Sequence, residues 1–150
     1  MKNSIKVLLG AFGALFVGLI VVGIIRDNDS VVRSAADLPR ILYHESFNQT
    51  EDEYFVYFWN EFCGACVQFD PDVVSAHNDG LPIYVVDMVS DENAGAWFQG
   101  EPGFNNQFPQ NGNEIEISWT PTILHFRNGV VVGYGAGISE GNALFAAFGE

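Results

Sequence analysis

Basic side chains are scarce in this chain: six lysines and arginines stand against 19 aspartates and glutamates, a net charge of −13. Phosphate binding needs a basic footprint, so a nucleic-acid partner is disfavoured. The acidic excess is compatible with a basic protein partner, but its plain consequence is solubility of an exposed surface. No glycine-rich phosphate loop and no Ser-His-Asp arrangement occurs. Histidine is limited to His44, His77 and His125, which fall on separate segments without the paired spacing of a structural zinc site. Cysteine is scarcer still, with only Cys63 and Cys66. As a staple this pair is badly placed, because closing a loop of about four residues removes only about 2 kcal/mol of unfolded-state entropy.

What the chain does have is one long apolar run. From Ile5 to Ile25, "IKVLLGAFGALFVGLIVVGII", the only charge is Lys6, which leaves 19 uncharged residues from Val7 onward. That nearly spans a bilayer core of roughly 30 Å. A cleavable signal has a shorter core followed directly by a small-x-small site, whereas "IIRDNDS" follows here. Residues 1–26 are therefore expected to be an uncleaved membrane anchor, with a single domain over 27–150. The loop charges are nearly balanced, but a very short basic head before the apolar core is the layout of a start-transfer signal. It puts the C-terminal domain on the extracytoplasmic side of the cell membrane.

Within the domain, "SVVRSAADLPRILYHE" predicts a short strand and then a helix capped by Ser34, with Leu38, Ile41 and Leu42 on one face. "EYFVYFW" and "LPIYVVDMV" are apolar runs of strand length. Between them Val67, Val73 and Val74 have helical spacing from Cys63 onward, and Pro71 should bend that helix. A helix is expected around Asn93 to Phe98, then a long loop rich in glycine, proline and asparagine. Asn128-Gly129 between "PTILHF" and "VVVGYG" predicts a hairpin, and Ser139 is the expected cap of a terminal helix. His125, alternating with apolar residues, reads as a neutral, hydrogen-bonded core histidine.

The cysteines fall at the strand-to-helix turn, and the position carries the chemistry. Thiolate is the attacking species, and the unpaired amides of a helix N-terminus stabilise it. Cys63 is placed to attack, and Cys66, one turn in, to attack the mixed disulfide in turn and release the partner. Gly64 and Ala65 keep the turn uncrowded. Zinc remains a second use of the pair, although only half a site is present.

The set "FWNEFCGAC", Pro71, "VVDM", "WTPTILHFRNG" and a glycine before the last helix resembles the thioredoxin family over Val31 to Phe148. The resemblance implies a thioredoxin fold, a central mixed sheet flanked by helices, with an inserted loop over 97–113. It implies that Cys63 and Cys66 are catalytic as a redox-active disulfide, with no other cofactor and no metal. It also implies that Pro121 is cis beside them, that the Thr120 backbone pairs with an extended substrate segment, and that Trp59, Gly64 and Ala65 border the substrate. The partners it implies are protein or peptide thiols and disulfides and a redox-recharging protein. Among small anchored proteins of this type, some bacterial relatives assist disulfide formation in secreted peptides such as bacteriocins, and others pass electrons outward or serve cytochrome maturation. The chain departs from the family at Tyr57, where thioredoxins usually hold a buried aspartate, and in its Gly-Ala dipeptide. A thioredoxin-fold adaptor that binds a partner without using its cysteines is the competing class.

Overall fold

The computed structural model describes residues 31–100 and 106–149, nearly all of them within the compact unit Val32–Glu150. The expected membrane anchor and residues 101–105 of the expected inserted loop lie outside the described residues. Among those that are described, no helix is long and apolar enough to cross a membrane.

Four strands form one mixed sheet in the order β2-β1-β3-β4: β1 is Glu53–Trp59, β2 Ile83–Asp87, β3 Thr122–Arg127 and β4 Val130–Ala136. β1 runs parallel to β2, with Phe55 opposite Ile83, and antiparallel to β3, with Phe55 opposite His125. A parallel pair requires a crossover, and helix α1, Gly64–Asn78, supplies it. Every residue of β1 from Tyr54 to Trp59 is buried, because the sheet is covered on both faces. Phe55, Tyr57 and Trp59 pack with Cys66, Phe69 and Val73 of α1. Tyr54, Val56 and Phe58 face the opposite way, onto Ile115, Ile117 and Phe126.

The hairpin forms as expected: Asn128 at φ 51° and Gly129 at φ 76° occupy its two central positions, the double positive φ that matches strand twist. Helix α2, Ile138–Ala146, follows β4. Its cap differs from expectation. Gly137 at φ 96° begins the helix without a side-chain cap, and its N–H donates to the Pro121 carbonyl at 2.8 Å. Ser139 therefore lies inside the helix, while the Glu140 carboxylate accepts the Ala136 N–H at 2.8 Å.

The segment before β1 also departs from expectation. Ser34 does cap a helix, but only the 3-10 turn Ala35–Asp37, since the residue before a proline is driven to extended backbone and Leu38 is extended at ψ 154°. Among the described residues no strand forms before Ser34. Instead Arg40 makes a parallel bridge to Val85 on the outer edge of β2. The helix expected near residue 93 is the 3-10 segment Asp91–Ala96. Trp97 then bridges Ile117, and its indole donates to the Met88 carbonyl at 3.1 Å. The long connection is thus held at its base by Trp97 and the buried Ile115 and Ile117, while Phe108 is exposed.

His125 is buried, with Nε2 2.8 Å from Glu53 Oε1 and its ring stacked on Phe55 at 4.5 Å. Burial pulls the His125 pKa down and outweighs the Glu53 carboxylate. The folded protein therefore holds this ring neutral while the unfolded chain takes up a proton, so stability falls as the pH drops below about 6.5. Glu53, held below its ordinary range by the Arg127 guanidinium, adds a separate loss only below about pH 4.3. The urea midpoint is expected to fall between pH 7 and pH 5, and His125→Gln to flatten that segment of the curve. An equal slope in both proteins would contradict this assignment.

Candidate active site

The site is assembled where β1 ends. Asn60 turns the chain, its side-chain oxygen accepting the Phe62 N–H at 2.8 Å and its carbonyl the Cys63 N–H at 3.1 Å. Cys63 is the N-cap of α1 in extended conformation, and its Sγ accepts the Cys66 N–H at 3.1 Å. A capping side chain satisfies one of the orphan amides of a first helical turn, a role usually taken by an oxygen; here sulfur takes it. From the other side the Cys63 thiol donates to the Thr120 carbonyl at 3.2 Å. The Thr120-Pro121 peptide is cis, and Pro121 is buried. Gly64 and Ala65 are exposed, with open space around Gly64.

Both cysteines are free thiols, Cys63 partly exposed and Cys66 fully buried. Burial raises the Cys63 thiol, but hydrogen bonds from the Cys66 and Thr120 side chains and from the Cys66 and Ala65 backbone outweigh it, so its pKa lies below the ordinary thiol value. Burial pushes Cys66 the other way, up to about 11, and its hydrogen bond to Cys63 adds to the rise. Cys63 thus ionises more readily than an ordinary thiol, and Cys66 less readily.

The structure brings Cys63, Cys66, Gly64, Ala65, Thr120 and Pro121 together. Trp59 is in the core behind them at 8% exposure, with the Arg40 guanidinium 5.4 Å above its ring. The apolar surface at this end is formed by Phe62, Val67 and Trp119, which are 79%, 59% and 48% exposed. Helical spacing predicts Val67 on the buried face of α1, but the face that packs is Cys66, Phe69 and Val73. Among the described residues no group of three or more His, Cys, Asp and Glu side chains could hold a metal ion.

Sequence reasoning also missed Asp70. The Tyr57 hydroxyl donates to Asp70 Oδ1 at 3.1 Å and lies within interaction range of the Cys66 sulfur. The indole N–H of Trp59 is turned toward the same carboxylate without completing a hydrogen bond. A signal was available: Asp70 is four residues after Cys66, hence on its side of the helix.

No family model matches this sequence, and no curated protein matches it. The fold does match solved structures. Thioredoxin f2 of Chlamydomonas reinhardtii superposes with a TM-score of 0.53 at 18% identity, covering 73% of this chain and 91% of that one. The short form of thioredoxin f from spinach chloroplast gives 0.53 at 16%, covering 79% and 94%. A mutant thioredoxin from Halobacterium salinarum gives 0.50 at 14%, covering 77% and 90%. Likeness at these identities establishes the fold: the domain is an α/β protein of the thioredoxin fold. In it Cys63 caps α1, and Cys66 lies within the first turn of that helix.

Proposed function

We propose that this chain is a thiol-disulfide oxidoreductase that acts on protein or peptide thiols and disulfides outside a bacterial cytoplasmic membrane. The observation that carries the reading is the Cys63 sulfur, which receives the Cys66 amide at the helix start and stands beside the Thr120 carbonyl. In the reducing direction the Cys63 thiolate attacks one sulfur of a partner disulfide. A Cys63-partner bond forms, and the other partner sulfur leaves as thiolate. Cys66, once deprotonated, attacks the Cys63 sulfur; the Cys63-Cys66 bond forms and the second partner sulfur leaves with its electron pair. Two electrons have passed from the dithiol to the partner. The oxidising direction runs the same steps backwards.

The backbone at Thr120 offers an extended partner segment a place to pair. Exposed Phe62, Val67 and Trp119 supply an apolar contact surface around the sulfurs. The extracytoplasmic placement rests on the apolar run from Ile5 to Ile25 and its short basic head. A redox partner that restores the spent form of the pair completes the cycle.

Equilibrating the full chain with glutathione buffers tests the reading. A two-electron transition with a potential near about −270 mV makes the protein a reductase, and one near about −120 mV an oxidase. Failure of the pair to form a disulfide at any glutathione ratio would refute it. Location is checked by exposing intact cells to a membrane-impermeant thiol reagent: labelling of Cys63 is expected, and its absence with labelling after lysis places the domain inside.

A further inference from the structure

The exchange proposed above leaves one step without an agent. Cys66 is fully buried, and burial holds its thiol above the ordinary value, yet it must lose that proton before it can attack the mixed disulfide. Thr120 and the Asn60 backbone contact it, but neither accepts a proton at neutral pH. The ionisable groups acting on Cys66 and its neighbour Tyr57 are Cys63 and Asp70. Cys63 is bonded to the partner at that moment and is no base. Across this layer α2 presents Phe145, stacked on Phe69, and β3 presents Ile123, so neither brings charge.

We propose that Asp70 is the proton acceptor for Cys66, reached through the hydroxyl of Tyr57. The inference rests on the oxidoreductase reading. The Tyr57 hydroxyl donates to Asp70 Oδ1 at 3.1 Å, which leaves its oxygen free to accept, and the Cys66 side chain interacts with that same hydroxyl. As Cys66 gives its proton to the Tyr57 oxygen, Tyr57 passes its own to Asp70. The net change is a Cys66 thiol and an Asp70 carboxylate becoming a thiolate and a carboxylic acid, with Tyr57 restored. The thiolate then attacks Cys63, and Asp70, which is half-buried on the helix flank, returns the proton to water.

Tyr57 is a conduit and not the base. Burial, Cys66 and Asp70 all raise its phenol above the ordinary value, so it does not ionise at neutral pH. Asp70 is raised by burial against the lowering effect of the Tyr57 hydrogen bond and the nearby Trp59 indole, which makes it a stronger base than a free carboxylate.

The test separates the two steps. Reduced full-chain protein is mixed with one equivalent of 5,5′-dithiobis(2-nitrobenzoate). Attack by Cys63 releases the first thionitrobenzoate, and attack by Cys66 on the resulting adduct releases the second. In Asp70→Asn and in Tyr57→Phe the second release is expected to slow relative to the first by about 100-fold at pH 7, the low end of general-base contributions. The deficit should close as the pH is raised, because solvent hydroxide then takes the Cys66 proton without help from the protein. A second phase within about threefold of the parent at pH 7, well short of a general-base contribution, or a deficit that persists unchanged to pH 11, overturns the relay alone. A parent protein with no first phase overturns the oxidoreductase reading and the relay with it. Asp70→Asn, an isosteric change on a half-exposed flank, decides the matter if Tyr57→Phe does not fold.

Discussion

Full-chain Cys63→Ser is expected to exchange disulfides with no protein or peptide at a detectable rate, a loss on the order of 10⁶-fold by comparison with removal of other enzymatic nucleophiles. The reason is local. The hydrogen bonds that lower the Cys63 pKa, from Cys66, Thr120 and the first-turn amides, stabilise a charge that serine cannot carry at neutral pH. Its hydroxyl can still cap the helix as an oxygen normally does, so the fold should survive and the loss belongs to chemistry. Cys66→Ser has a different signature: Cys63 still attacks, nothing resolves the adduct, and mixed disulfides accumulate. They are visible as higher-mass bands on non-reducing gels that vanish with dithiothreitol. Partner-dependent activity that survives Cys63→Ser intact would instead support an adaptor that holds its partner on the thioredoxin scaffold.

Phe69→Ala is expected to cost about 3–5 kcal/mol of folding stability, the range for deleting a buried aromatic ring. Phe69 is wholly buried, edge-on to Tyr57 at 5.7 Å and stacked on Phe145 at 5.8 Å. It joins α1, β1 and α2 in one layer. The fit is close: a Cβ added at Gly141 would press into the tip of the Phe69 ring. The void left by alanine is framed by α2 backbone on one side and by the sheet on the other, so collapse recovers little of the lost contact. Against a typical total of about 5–15 kcal/mol, the change leaves a marginal protein. Urea denaturation of parent and variant measures it, and a loss below about 1 kcal/mol, far under the cavity range, would show that this layer is not where the domain is held together. Because Tyr57 loses its ring neighbour, the second-phase rate of thiol exchange should also drop in whatever fraction remains folded.

The features that could be read in advance are those whose cause lies within a few residues. Asn128-Gly129 can adopt two consecutive positive φ values, and no partner elsewhere is needed to make that a turn. "EYFVYFW" is apolar at every position from Tyr54 because both of its faces are covered, and that coverage is written into its composition. The cysteine pair is legible for the same reason, since a side chain at the cap of a helix and one three residues later share the first turn whatever surrounds them.

Where reading failed, a distant contact overruled a local preference. Leu38, Ile41 and Leu42 have helical spacing, but Pro39 blocks the helix and the edge of β2 offers Arg40 a strand partner at Val85. Ser139 is a good cap in isolation, yet Gly137 starts α2 because its amide is committed to Pro121, the residue just before β3. Val67 fits an apolar stripe but is exposed, because the sheet meets α1 along Cys66, Phe69 and Val73.

By itself, then, the order of residues determined that two sulfurs would stand at the positive end of a helix, beside a strand buried on both sides, since backbone geometry over three or four positions suffices for that. Only the packed domain decided that one sulfur would be sealed from water and the other left open, and that Tyr57 and Asp70, 13 positions apart, would meet behind the sealed one. Such meetings depend on how a helix rotates as it settles on a sheet, and that rotation is fixed by the summed burial of many apolar side chains, which no short stretch of sequence contains.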